Sequence, residues 1–209
     1  MLHLCGVRHP SNVMTIGLTG GIACGKSTFV RALSACHGFE HFSADECVHQ
    51  LLASDPCLIK AVSDAFGPEV IDAGGHVNRP ALRGIVFVDA VARRKLEAIL
   101  HPVVRGRWQT QLQNCHASGR HFLADIPLLF ETGSERSFGQ IVVVAASTQV
   151  QRARLATRGL QSAIAEAMLA SQAPIRQKID QASIVVWNDG NESSLHRQAS
   201  LAAELLFAT

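Results

Sequence analysis

The chain has 209 residues, 47% hydrophobic and 17% charged, with a formal net charge of +2. This length and apolar content support one compact domain with a substantial core and exclude a globally disordered chain. The basic residues are scattered, Tyr is absent and only 5% of residues are aromatic, so the basic stripe with stacking aromatics that marks a nucleic-acid surface is missing and no nucleic-acid partner is expected.

The six cysteines form no CxxC pair and no Cys/His spacing suited to zinc, the pattern of a reduced, cytoplasmic protein. No apolar run approaches the ~20 residues of a transmembrane helix, so no membrane association is expected. Residues 1–13 lack the apolar stretch of a signal peptide and read as an N-terminal extension ahead of a domain spanning 14–209.

In chain order, 13–19 is an apolar, β-branched run closed by Gly20-Gly21, a buried strand. A helix follows from Ser27, with Phe29, Leu33 and Cys36 on one face and Gly38 as its stop. The run 39–44 predicts a second strand, with Asp45 at its C-terminal end opening a helix over 46–53. Successive helices occupy 57–118, broken at Gly67-Pro68, at the turn 72–75, at Pro80, and at Pro102 near the start of a long helix. Three more strands are predicted at 121–126, 140–145 and 183–187, with helices between the last two and at the C-terminus. Alternating strands and helices imply an α/β fold with a five-stranded parallel sheet covered on both faces.

Residues 20–27 read Gly20-Gly21-Ile22-Ala23-Cys24-Gly25-Lys26-Ser27. This matches GxxxxGK[ST] in full, directly after a strand and before a helix, the context a phosphate-binding loop requires. Glycines let backbone N–H groups approach phosphate oxygens, and the helix N-terminus adds a positive dipole end. Lys26 is suited to the β- and γ-phosphates of ATP and the Ser27 hydroxyl to Mg²⁺. Ala23 and Cys24 occupy variable positions where only the backbone is used, and the nearby helix N-terminus is expected to activate the Cys24 thiol. A regulatory GTPase would need DxxG and NKxD segments. The stretch 72–75 satisfies DxxG only within a Gly-Gly turn, and NKxD is absent.

Further segments make the reading specific. Gly17-Leu18-Thr19-Gly20-Gly21-Ile22 with Gly25-Lys26-Ser27-Thr28, then Phe42-Ser43-Ala44-Asp45, Arg79…Leu82-Arg83…Val86-Phe87 and Leu100-His101-Pro102 follow in order. They are continued by Asp125-Ile126-Pro127-Leu128-Leu129-Phe130-Glu131, Gln151…Arg154-Leu155…Arg158, Gln172, Lys178 and Asn188-Asp189-Gly190. Over about residues 14–200 this order resembles the dephospho-coenzyme A kinases. The resemblance implies a P-loop kinase fold with a helical acceptor-binding insert at 57–118 and a lid at 158–172. It implies transfer of the ATP γ-phosphoryl to the 3′-hydroxyl of dephospho-coenzyme A with Mg²⁺, by a monomer or small homo-oligomer. Ser43, Asn78, Met168, Gly159 and Ser183 depart from that pattern.

Two readings stand for most candidate residues. Asp45 is either the group that accepts or orients the acceptor's hydroxyl proton or a helix N-cap. Asp125 resembles an acid holding Mg²⁺ and is otherwise a turn acid before Pro127. Arg154 and Arg158 share a helical face and close over phosphates or brace the core. Arg79 and Arg83 hold the acceptor's diphosphate or are surface charge. His101, Pro127 and Leu128 are expected at the acceptor, with packing as the alternative for His101, and Asn188 meets adenine or serves a turn. The rival functions are another small-molecule P-loop kinase, for a nucleoside or sugar acid, and a nucleotide-binding regulator.

Overall fold

The computed structural model describes residues 13–207, so nearly all of the expected N-terminal extension lies outside the described residues. Five strands, β1 (Thr15–Gly20), β2 (Glu40–Ser43), β3 (Phe122–Asp125), β4 (Gln140–Ala145) and β5 (Ile184–Trp187), form one parallel sheet in the order β2-β3-β1-β4-β5. All six residues of the central β1 are buried, as expected for a strand covered on both faces.

Period-2 alternation divides the strands between two cores. Leu123, Val142 and Val144 face one side with Ile16, Leu18 and Val186, beneath α1 (Lys26–Cys36) and α9 (Glu192–Phe207). Phe122, Ala124, Ile141 and Val143 face the other. They pack under α2 (Ala44–Ser54), α3 (Pro56–Phe66), α4 (Arg79–Val88) and α5 (Ala90–Ser118). The expected face of α1 is carried by Phe29 and Leu33, whereas Cys36 is exposed.

Pro102 does not open the long helix. It lies inside the 29-residue α5, which runs on although the Ala98 carbonyl loses its intrahelical donor. The turn at 72–75 is held by Asp72 Oδ1, which accepts from the N–H groups of Gly74 and His76 at 2.9 and 3.0 Å. That acid is committed to its own turn.

The chain leaves β1 for the sheet edge at β2, returns through β3, then passes to β4 and β5 on the other side of β1. The strand order therefore reverses at β1, and a parallel sheet opens its ligand crevice at the C-terminal ends around such a point. Beyond β4 the chain runs through α6 (Thr148–Thr157), α7 (Ser162–Ala170) and the short α8 (Ile175–Ile179) before β5.

Candidate active site

The phosphate loop leaves β1 at the reversal point. Gly20 (φ 154°) passes so close to β4 that a Cβ would lie 2.1 Å from the Val144 carbonyl oxygen. Gly25 (φ 93°) is the N-cap of α1 and supplies no side-chain hydrogen bond to it. The first N–H groups of α1 are thus left for an anion. Ala23 is a departure from expectation: its φ of 57° is left-handed, so this position is conformationally demanding although its side chain is small.

Side chains from distant elements hold the loop in shape. Asn188, buried at 5% exposure after β5, donates Nδ2 to the Cys24 carbonyl at 2.8 Å. Arg154 of α6 donates Nη1 to the Ala23 carbonyl at 3.1 Å and Nη2 to the Asn188 carbonyl at 2.9 Å. Asn188, which the resemblance assigned to adenine, therefore spends its amide nitrogen inside the loop. Arg154 is thus tied to the backbone of the loop and of the segment after β5, a contact that neither the phosphate reading nor the core-bracing reading described. Arg158 is exposed at the C-cap of α6, where the chain leaves that helix for α7. Cys24 is fully buried, and burial pushes its thiol up despite the Lys26 ammonium, which corrects the expected activation by the helix N-terminus.

The carboxylates meet across β2 and β3. The parallel register sets Asp125 beside Ser43 on one side and Leu18 on the other. Ser43 is the N-cap of α2, its hydroxyl accepting from the Glu46 N–H at 3.3 Å. Asp45 sits inside the first turn instead, so the capping reading of Asp45 is replaced by Ser43. Burial pushes the Asp125 carboxyl up to about 6, with Lys26 pulling it down and Asp45 pushing it further up. Its Oδ1 is buried with no hydrogen-bond partner. An orphaned, partly desolvated carboxylate oxygen near Lys26 is a fitting ligand for a hydrated divalent cation. Among the described residues no three His, Cys, Asp or Glu side chains converge as a metal site. Mg²⁺ at phosphates commonly needs only one or two side chains besides the phosphates.

Beside Asp45 lies a cavity of about 350 Å³. It is lined by Ile22 of the loop, Ala44, Asp45 and Val48 of α2, Ile126, Pro127 and Leu128 after β3, and Met168, Ser171 and Gln172 at and just past the end of α7. From α5 two parallel rows enter, an apolar one (Leu96, Leu100, Val104, Trp108) and a polar one (Arg93, Glu97, His101, Arg105). Steps of four put each row along one helix face. Asp45, His101, Pro127 and Leu128 are thus brought together, while Arg79 and Arg83 on α4 are not among the lining residues. Arg93, Glu97 and Arg105 were missed, although their spacing with His101 is visible in the sequence. Arg105 donates to the Thr132 carbonyl and steadies the segment after β3.

The family model for dephospho-CoA kinase matches residues 14–194. The chain belongs to the dephospho-CoA kinase family. It is 42% identical over 194 residues to a dephospho-CoA kinase of Anaeromyxobacter dehalogenans, covering 91% of each chain. The corresponding protein of Methylococcus capsulatus is 36% identical over 199 residues, covering 91% of this chain and 99% of the relative. Among solved structures, a Thermus thermophilus protein superposes with a TM-score of 0.74 at 31% identity, covering 94% of this chain and 98% of that one. Dephospho-CoA kinase from Campylobacter jejuni gives 0.63 at 25%, covering 92% and 96%. Shikimate kinase from Acinetobacter baumannii, at 16% identity and a TM-score of 0.56 with 95% of both chains covered, shares the fold alone.

Departures from the family pattern have local roles here. Asn78 caps α4, its Oδ1 accepting from the Ala81 N–H at 3.2 Å. Ser183 accepts the Ile141 N–H at 3.0 Å at the start of β4. Met168 contributes to the cavity wall.

Proposed function

We propose that this dephospho-CoA kinase family member transfers the γ-phosphoryl group of ATP to the 3′-hydroxyl of dephospho-coenzyme A, giving coenzyme A and ADP. The observation that carries the reading is Asp45: it lines the cavity together with Ile22 of the phosphate loop, so one carboxylate stands where an acceptor would meet ATP. Asp45 accepts or orients the hydroxyl proton as the oxygen attacks, work worth about 10² to 10⁴-fold. Lys26 and the backbone N–H groups from Ala23 to Thr28 bind the phosphates and neutralise charge that spreads over the equatorial oxygens. Ser27 and Asp125 would hold Mg²⁺, which supplies further charge neutralisation when bound with ATP. Arg158 is the lid's candidate for the phosphates. The paired rows of α5 suit an elongated acceptor with apolar and polar portions, and Arg93 replaces Arg79 and Arg83 as the candidate for its diphosphate. The cysteine pattern supports a cytoplasmic setting.

Asp45→Asn tests the assignment. Size and hydrogen-bonding shape are kept, while charge and basicity are lost. ATP affinity should stay within twofold and transfer should fall by about 10² to 10⁴-fold, mostly in kcat. An Asp45→Asn enzyme of ordinary activity would remove Asp45 from the chemistry and leave Asp125 as the remaining acid.

A further inference from the structure

The lid and the phosphate loop are joined by a hydrogen bond that the transfer step above does not use. Gln172, two residues past α7, directs Oε1 to the Ile22 N–H at 3.0 Å. Both residues line the acceptor cavity, with Met168 and Ser171 beside them. The contact therefore sits where the phosphate loop becomes a wall of the acceptor site.

The other end of this contact is anchored. Ala173 donates its N–H to Glu131 Oε1 at 3.0 Å, and that oxygen pairs with Lys178 Nζ at 2.9 Å. Lys178 is 1% exposed and also donates to the Pro127 carbonyl at 2.9 Å. The same carbonyl accepts from Thr19 Oγ1 at 3.0 Å. Thr19 lies in β1, three residues before Ile22, so the bonds close a ring. It runs from β1 through the segment after β3 and α8 to the foot of the lid, then back to the phosphate loop. Within it the buried ammonium and its carboxylate form a charge-assisted joint. The Gln172–Ile22 contact is a neutral bond and therefore the easier one to open and close.

We propose that Gln172 is a positioning residue that couples the two substrate sites. With Gln172 on Ile22, the phosphate loop's rim is set and Met168 and Ser171 stand against the acceptor. ATP orders the loop and so favours the contact; the acceptor packs on the same wall and favours it too. Each substrate then tightens the other's binding, by the same factor in both directions. The inference rests on the acceptor reading of the cavity.

The test is Gln172→Met, which keeps length and volume and removes the acceptor oxygen. Affinity for a non-hydrolysable ATP analogue is measured with and without dephospho-coenzyme A, alongside steady-state turnover and hydrogen exchange of the Ile22 amide. The wild type should show several-fold mutual tightening, and the variant a factor near one. Its affinity for the analogue alone should change less than twofold, kcat should drop about tenfold, and Ile22 should lose protection. A merely structural role would lower thermal stability and leave the coupling factor in place. Unchanged coupling and kcat in Gln172→Met would overturn the proposal. So would a wild-type Ile22 amide whose protection does not rise when the acceptor joins the analogue complex, a measurement independent of how the variant folds. If the wild type does not turn over dephospho-coenzyme A, the acceptor reading fails. The latch is then judged with whichever acceptor is turned over, and it falls if that acceptor shows no mutual tightening with the analogue.

Discussion

Replacing Asp125 by Asn should stabilise the ligand-free protein while crippling it as an enzyme. The wild-type carboxyl is pushed from its ordinary 3.8 up to about 6, chiefly by burial, with Asp45 adding repulsion and Lys26 opposing both. Two powers of ten in proton affinity correspond to about 3 kcal/mol. Asp125 is only half-buried, so screening leaves a cost of roughly 1–2 kcal/mol for holding it ionised. The sign follows from linkage. Between pH 4 and 6 the folded protein binds a proton that the unfolded chain has released, so wild-type stability falls as pH rises through that window and is level above it. Asn has no such titration. The advantage of Asp125→Asn over wild type should therefore be near zero at pH 4, grow to pH 6, and stay at about 1–2 kcal/mol above pH 7, or roughly 2–8 °C in Tm. Urea unfolding of both proteins at matched pH measures it. Mg²⁺ with ATP should then raise the wild-type Tm more than the variant's, and transfer by the variant should fall by at least about 10²-fold. A variant less stable than wild type at pH 8, or a difference independent of pH, would refute the reasoning about the orphaned oxygen.

Three further outcomes follow from the loop. Lys26→Ala should cut turnover by on the order of 10³-fold at unchanged circular dichroism, and near-normal turnover would remove the loop from catalysis. Ala23→Gly relieves a left-handed φ of 57° and should raise stability by about 1 kcal/mol in chemical denaturation with turnover within threefold; a destabilised variant would show that the backbone is unstrained. Cys24, buried with its thiol pushed up, should alkylate at least about tenfold more slowly at pH 7.5 than the exposed Cys36 and Cys57. Equal rates in peptide mapping would contradict the packing.

What the sequence revealed depended on how local each signal was. The octet from Gly20 to Ser27 constrains consecutive residues, and the strands could be read from apolar runs because a parallel sheet buries both faces. The sheet's five strands accordingly lie within a residue or two of where those runs placed them. Proline was over-read: Pro102 costs one hydrogen bond, and the packing of Leu100, Val104 and Trp108 carries α5 past it. The helix-capping role went to Ser43 because a cap needs extended backbone before the helix, which favours the last strand residue over Asp45. The bracing of the loop by Arg154 and Asn188 was not legible. It joins residues 131 and 164 positions apart, and only the folded order of β1, β4 and β5 brings them together. For Cys24 the expected field of the helix N-terminus is outweighed by desolvation, a quantity that burial alone decides.

The most direct measurement is ADP release by the purified wild-type protein with Mg²⁺ and ATP, given dephospho-coenzyme A, adenosine or gluconate in parallel, with phosphorus NMR of the product. Turnover is expected with dephospho-coenzyme A alone, with a new phosphomonoester on the ribose 3′-oxygen. Preferential turnover of adenosine or gluconate, or ADP release that needs no acceptor, would contradict it.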